Sequence, residues 1–163
     1  MKVSECMRTE VLLAGKDCDF KMLLCKITSS NPRQVYVVDE KYKLLGLVTS
    51  MDLLREIIPS YLNADLARSF TDEADFLLKR VEKVKNKTAE EIMVTRFVYV
   101  HPHHQLLEAD ALIAEKGCNT LPVIDAQGRL LGEVSRRDIL IRLVHSCPDW
   151  GAEKNQLVDL AKL

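Results

Sequence analysis

Two hydrophobic rhythms alternate along the chain, and they occur twice in the same order. Phe20, Leu23, Leu24 and Ile27 stand at i, i+3, i+4 and i+7, which predicts a helix with one buried face. Leu106, Ala109, Leu112 and Ile113 repeat that stripe in the second half. A short β-rich run precedes each stripe, Val11 to Ala14 and Phe97 to Val100, and predicts an opening strand. Two apolar runs then follow closely, Val35 to Val38 with Leu44 to Val48, and their counterparts ending at Ile124 and Val134. Polar five-residue turns join them, Asp39 to Lys43 and Asp125 to Arg129, so each pair reads as a hairpin. Only the second turn carries a glycine, Gly128. A helical period returns over Asp52 to Ile58 and Asp138 to Val144, with Thr49 and Ser135 placed as N-caps.

Comparing the chain with itself makes the repetition quantitative. At an offset of 86 residues, twelve of the 56 pairs from Val3/Ala89 to Ile58/Val144 are identical, where background usage gives about three or four. The identities cluster around Leu44/Leu130 to Asp52/Asp138. A duplicated strand-helix-strand-strand-helix unit follows, an α/β (α+β) fold divided as residues 1–58, an insert 59–87, residues 88–146 and a tail 147–163. In the insert, Phe70, Ala74, Leu77, Leu78, Val81 and Val84 predict an amphipathic helix entered near Asp72. Leu157, Leu160 and Ala161 predict a short helix in the tail.

Composition narrows the function classes. Lys plus Arg (23) nearly cancels Asp plus Glu (24), leaving a net charge of -1, so no broad positive field exists for nucleic acid or an acidic membrane. The longest stretch free of Asp, Glu, Lys and Arg, Phe97 to Leu107, is too short to cross a bilayer. Glu5 interrupts the start before any secretory apolar segment forms. Five cysteines without a Cys-x-x-Cys pair suggest reduced thiols and a cytoplasmic address.

The candidate chemistry lies at the helix starts. Thr49-x-x-Asp52 and Ser135-x-x-Asp138 each put a hydroxyl at a helix N-cap and a carboxylate one turn in, after a buried strand. Backbone N–H groups and the helix dipole favour an anion there, and a carboxylate can accept two hydrogen bonds from a vicinal diol such as ribose. Capping alone would call for the same residue pair, but its recurrence at equivalent places of a duplicated unit favours a ligand. The intervals differ: Ser50-Met51 in the first copy, Arg136-Arg137 in the second. Guanidinium groups suited to phosphates therefore favour the second copy as the principal site.

Two copies of Met-x-Thr, then Tyr36-Val37-Val38-Asp39 or Pro122-Val123-Ile124-Asp125, then Leu-Gly-x-Val-Thr/Ser-x-x-Asp-Leu/Ile-Leu resemble the cystathionine-β-synthase (CBS) domain. The resemblance covers about 112 of the 163 residues. It implies a Bateman module, two units packed through their sheets as a pseudo-twofold pair with two clefts for adenosine-containing ligands such as AMP, ADP, ATP or S-adenosylmethionine. By that resemblance the first cleft draws on Thr9, Glu10, Val11, Arg33, Gln34, Thr49 and Asp52. The second draws on Thr95, Arg96, Phe97, Cys118, Asn119, Thr120, Ser135, Arg136, Arg137 and Asp138. It also implies a regulatory homodimer that signals to an effector protein in trans.

The remaining motifs read as structural. His101-Pro102-His103-His104 is interrupted by Pro102, which breaks the regular geometry that i, i+4 ligation would exploit, and reads as a polar loop rather than a metal site. Cys118 reads as packing. No acid/base pair, Gly-rich phosphate loop or cofactor lysine stands out, so neither catalysis nor a resident cofactor is expected.

Overall fold

The computed structural model describes residues 1–29 and 34–147, so Arg33 and the predicted tail helix lie outside the described residues. The first half contains β1 (Leu13–Ala14), α1 (Phe20–Thr28), β2 (Gln34–Val38), β3 (Leu44–Thr49) and α2 (Ser50–Ile57). The insert forms α3 (Ala64–Ala67) and α4 (Glu73–Val84), and α5 (Ala89–Ile92) opens the second half. There follow α6 (Leu106–Lys116), β4 (Thr120–Ile124), β5 (Leu130–Ser135) and α7 (Arg136–His145). The 86-residue offset maps β2 onto β4 and β3 onto β5 at both ends, and both hairpins carry a register shift at the same place, Val37/Val38 and Val123/Ile124. Tyr42 adopts φ 61° where its counterpart Gly128 has φ 79°, so the first turn keeps its left-handed residue without a glycine.

The opening strands are shorter than their β-rich runs suggest. In the first half only Leu13 and Ala14 pair, parallel to Tyr36 and Val37. In the second, Phe97 to Val100 forms no strand and contributes a single parallel bridge between Val100 and Val123. The fold takes up these segments elsewhere, in a crossing that local periodicity does not encode.

Each opening segment docks on the other half. Val3, in a 3-10 turn over Val3–Glu5, is fully buried among Leu106, Ala109, Ile113 and Val134. Its amide donates to the His104 carbonyl at 3.0 Å. Reciprocally, Ala89 and Ile92 are buried with Phe20, Leu23, Val37 and Val48, and the Ala89 amide donates to the Cys18 carbonyl at 2.7 Å. Two glycines let the crossing segments lie flat on the sheets. A Cβ on Gly46 would stand 2.9 Å from the Val94 carbonyl oxygen, and one on Gly132 would overlap that of Arg8. Gly132→Ala is therefore expected to destabilise by about 1–3 kcal/mol, whereas Gly15→Ala, with nothing within 4 Å of the added methyl, should melt within about a degree of wild type. Circular-dichroism melting of the two variants checks this.

Alternation along the strands divides the interior. Val35, Val37 and Val48 face α1 and α2, while Tyr36, Val38, Leu44 and Ile124 form the layer between the two sheets. Helix α4, capped by Asp72 as its sequence predicts, packs on α2. Arg80 donates through Nε to the Ile57 carbonyl at 2.8 Å, at the carboxyl end of α2. Leu77, Val81 and Val84 turn inward, but Leu78 is 68% exposed and Phe70 and Ala74 are also exposed. The buried stripe is thus narrower than the apolar spacing predicts.

Candidate functional site

Strands β3 and β5 end where their helices begin, and both ends are built alike. Thr49 caps α2, its Oγ1 accepting from the Asp52 amide at 3.2 Å. Asp52 Oδ2 in return accepts from the Thr49 amide at 2.8 Å and its hydroxyl at 2.7 Å. At α7 the Ser135 hydroxyl accepts from the Asp138 amide at 3.2 Å, and Asp138 Oδ2 accepts from the Ser135 amide at 2.9 Å and hydroxyl at 2.5 Å. Both sets are reciprocal capping boxes. All side-chain bonds that described residues make to either Asp converge on Oδ2, and none is made to Oδ1. Capping and ligand binding are thus compatible roles for one carboxylate.

Beside these helix starts lie several of the residues singled out from sequence. Gln34 pairs with Thr49 across the first hairpin, and Thr120 with Ser135 across the second. Asn119 accepts from Arg136 twice, at its backbone carbonyl from the Arg136 amide (3.1 Å) and at Oδ1 from the guanidinium. Arg137 is exposed on the same turn. Cys118 packs against the second core, and burial pushes its thiol up despite a backbone hydrogen bond and the nearby Arg136 charge, the opposite of an activated thiolate.

Thr9, Glu10 and Val11 occupy the crossing between the Arg8–Glu133 bridge on β5 and the Leu12 carbonyl, which accepts from Tyr36 on β2. Thr95, Arg96 and Phe97 make the equivalent crossing from the Val94–Leu47 bridge toward the Val100–Val123 bridge. Each crossing strip therefore runs from one half to the other. Thr9 Cα lies 3.5 Å from where a Gly132 Cβ would stand, on the second half's sheet.

The two helix starts differ in what surrounds the carboxylate. Arg8 forks between two acids: its Nη2 lies 2.8 Å from Glu133 Oε1 and its Nε 3.2 Å from Asp138 Oδ2. Glu133 is 2% exposed, and its Oε2 accepts from the Tyr36 hydroxyl at 2.7 Å. Gln34 Nε2 donates to that same hydroxyl oxygen. At the 86-residue offset Arg8, Glu133 and Tyr36 correspond to Val94, Leu47 and Pro122, all uncharged and apolar. The crossing beside Asp138 therefore carries a buried ion pair where the equivalent crossing carries Val94 and Leu47.

The CBS domain model matches residues 3–59 and 89–145. The chain belongs to the CBS domain family. It is 24% identical over 140 residues to an uncharacterized protein of Methanopyrus kandleri, covering 86% of this chain and 61% of that protein's length. A CBS domain-containing protein of Dictyostelium discoideum is 27% identical over 146 residues, covering 87% and 90%. The CBS-pair protein CBSX2 of Arabidopsis thaliana superposes with a TM-score of 0.73 at 20% identity, covering 89% of this chain and 95% of that one. CBSX2 in complex with AMP gives 0.69 at 22% identity, covering 89% and 97%. The CBS domain pair of protein MJ0100, in complex with 5'-methylthioadenosine and S-adenosyl-L-methionine, gives 0.65 at 18%, covering 90% and 98%. These likenesses establish the tandem CBS fold.

Within this CBS pair, Arg8, Tyr36 and Glu133 are the residues that sequence reading missed. A signal existed: Glu133 stands in a strand slot where the other CBS copy has Leu47, and Arg8 stands where it has Val94. A charge replacing an apolar residue in a buried strand needs a partner, and the second substitution supplied it.

Tyr36 has a measurable consequence. Burial first, then the Glu133 charge and its hydrogen bond, push the phenol well above its ordinary range. In the unfolded chain it ionises near about pH 10, so above that pH unfolding releases a proton and stability falls as pH rises. Below that pH the contribution is fully present. Urea midpoints from pH 9 to 11 should decline faster for wild type than for Tyr36→Phe, with a difference in slope of up to about 1.4 kcal/mol per pH unit.

Away from the helix starts, a recess of about 610 Å³ is lined by Tyr99, His101, His103 and Asp125. His101 and His103 are stacked at 5.5 Å, and His101 Nδ1 lies 2.8 Å from the Ile124 carbonyl oxygen. Among the described residues, no group of three or more His, Cys, Asp or Glu is arranged to hold a metal ion. No described helix is long and apolar enough to cross a membrane.

Proposed function

We propose that the protein is a regulatory module that binds adenosine-containing ligands in the clefts of its CBS pair, with the Asp138 cleft as the principal site, and signals to a partner protein in trans. The observation that carries this reading is the capping carboxylate at both helix starts, bonded by the described residues through Oδ2 and not through Oδ1. Solved relatives of the same fold are in complex with AMP or with 5'-methylthioadenosine and S-adenosyl-L-methionine. Oδ1 accepts from a ribose hydroxyl while Oδ2 keeps the helix capped. Phosphates fall to Arg136, Arg137 and the helix amino terminus. No catalytic step is assigned to these residues.

A thermal-shift panel of AMP, ADP, ATP and S-adenosylmethionine tests the reading. A ligand at 100 times its Kd stabilises by about 2.7 kcal/mol, a rise on the order of 5–10 °C for a chain of this size. A flat response from the whole panel would refute it.

A second reading, a constitutive dimerisation module with vestigial clefts, shares one observation with the first. Met51 and Leu54 on α2, and Leu140, Ile141, Leu143 and Val144 on α7, are all exposed among the described residues, apolar side chains that a second copy would cover. The proposed module is itself a homodimer through these helices, and light scattering at micromolar concentration should show a mass twice the 18.5 kDa chain. The ligand panel, not the dimer, separates the two readings.

A further inference from the structure

We propose that the polar chain Asp138–Arg8–Glu133–Tyr36–Gln34 couples the second cleft to the first, so that a ligand in one changes the affinity of the other; this rests on adenosine-ligand binding in both clefts.

The chain is continuous. Asp138 Oδ2 to Arg8 Nε is 3.2 Å, Arg8 Nη2 to Glu133 Oε1 is 2.8 Å, Tyr36 Oη to Glu133 Oε2 is 2.7 Å, and Gln34 Nε2 donates to the Tyr36 oxygen. Its far end lies at the first cleft, because Gln34 pairs with Thr49, the N-cap that holds Asp52. Gln34 and Tyr36 stand two residues apart on one strand and share a face, and cross-strand partners have Cβ atoms about 5 Å apart. The chain traverses the layer between the sheets, where Val38, Leu44 and Ile124 are its apolar neighbours. It has no counterpart on the other side of the pseudo-twofold axis, where Val94, Leu47 and Pro122 stand at the corresponding positions.

Coupling requires an element with two discrete arrangements that both sites bias. The Arg8 guanidinium is that element: it either forks across Glu133 and Asp138 or rests on Glu133 alone. A ribose that draws Asp138 toward itself favours the second arrangement. Glu133, with one face to Arg8 and the other to Tyr36, then holds Arg8 more tightly and relaxes its grip on the phenol. Tyr36 and Gln34 readjust beside Thr49. Reciprocity requires a ligand at Asp52 to act back on Arg8 by the same factor.

AMP calorimetry on wild type and the double variant Arg136→Ala/Arg137→Ala, each with and without Tyr36→Phe, tests this. The Asp138 cleft, as the principal site, fills first in wild type, so the weaker wild-type step gives first-cleft affinity with the second cleft filled; the double variant drops the second cleft below the first without touching the chain, and its tighter step gives first-cleft affinity with the second cleft empty. The two affinities are expected to differ by at least about fivefold, and to converge within about twofold once both proteins carry Tyr36→Phe. Glu133→Gln repeats the test with the carboxylate neutralised and the shape kept, should Tyr36→Phe fold poorly. A fivefold difference that survives both substitutions overturns the proposal, as does no difference in wild type. A single-site wild-type isotherm overturns it while leaving the proposed function standing, and no AMP, ADP, ATP or S-adenosylmethionine binding removes both.

Discussion

Asp138→Ala is expected to weaken adenine-nucleotide binding by 10- to 100-fold, and Asp52→Ala by less. A hydrogen bond to a charged group contributes about 1.5–3 kcal/mol, and each 1.4 kcal/mol is tenfold in affinity. Neither Oδ1 takes a bond from a described residue, but among the described residues it is Asp138 that faces Arg8, and Arg136 and Arg137 open its helix where Ser50 and Met51 open that of Asp52, a cationic surround suited to phosphate. Asp138 is also held in place more firmly, its Oδ2 accepting from Ser135 twice and facing Arg8. The fold survives either substitution, since the Ser135 or Thr49 hydroxyl still caps its helix and a first-turn carboxylate contributes only about 0.3–1 kcal/mol. Calorimetry on the three proteins, with melting curves as a control on folding, decides it: Asp138→Ala binding like wild type, or Asp52→Ala proving the more damaging, assigns the principal site to the first cleft.

Arg8→Met is expected to destabilise the protein by about 2–3 kcal/mol, a fall in melting temperature on the order of 4–12 °C. The substitution keeps the aliphatic bulk and deletes the cation from a carboxylate that is 2% exposed. Breaking a fully buried ion pair costs about 3–5 kcal/mol; the Arg8 side chain is 46% exposed, so water reaches part of the site and the lower figure applies. The pseudo-symmetric half supplies the complementary experiment. Arg8→Val, Glu133→Leu and Tyr36→Phe together install the hydrocarbon packing that Val94 and Leu47 already provide there. Replacing a buried ion pair by apolar residues of similar volume is often neutral or stabilising, so the triple variant should melt near wild type although Arg8→Met alone does not. A triple variant as unstable as Arg8→Met would show that packing, not the orphaned charge, sets the cost.

The repeated architecture was legible because the two copies agree. Leu44 to Asp52 and Leu130 to Asp138 share five residues, and the hairpins, the N-caps Thr49 and Ser135 and the starts of α2 and α7 fell where the shared pattern put them. The apolar stripe of α6 was equally readable, with Leu106, Ala109 and Ile113 all buried. The polar network was legible only in the differences, because it is written at positions where the copies disagree, and searching for a repeat discards those. Nor did periodicity foretell the crossing: Val11 to Ala14 and Phe97 to Val100 have strand composition, but the backbone just ahead of each, at Arg8 and Val94, lies across Gly132 and Gly46, whose missing side chains make room for it. Among the described residues helix α4 leans on α2 and, through Val81 and Val84, on the first core, and Leu78 on its other face is left exposed.

The exchange of opening segments also constrains how the chain can be made. Val3 and Arg8 find their partners at residues 104 to 138, more than a hundred positions later, so the first half cannot complete its own packing as it emerges from the ribosome. Its α1 and β2 wait for Ala89 and Ile92 to cover Phe20 and Leu23, while residues 1–8 wait longer still. Closing contacts of such sequence separation is slow relative to forming the local hairpins. Through that interval the apolar surface meant for Ala89 and Ile92 stays open and Val3 itself has no cover, which makes the half-synthesised chain, rather than the finished protein, the species most exposed to mispairing with a second copy of itself.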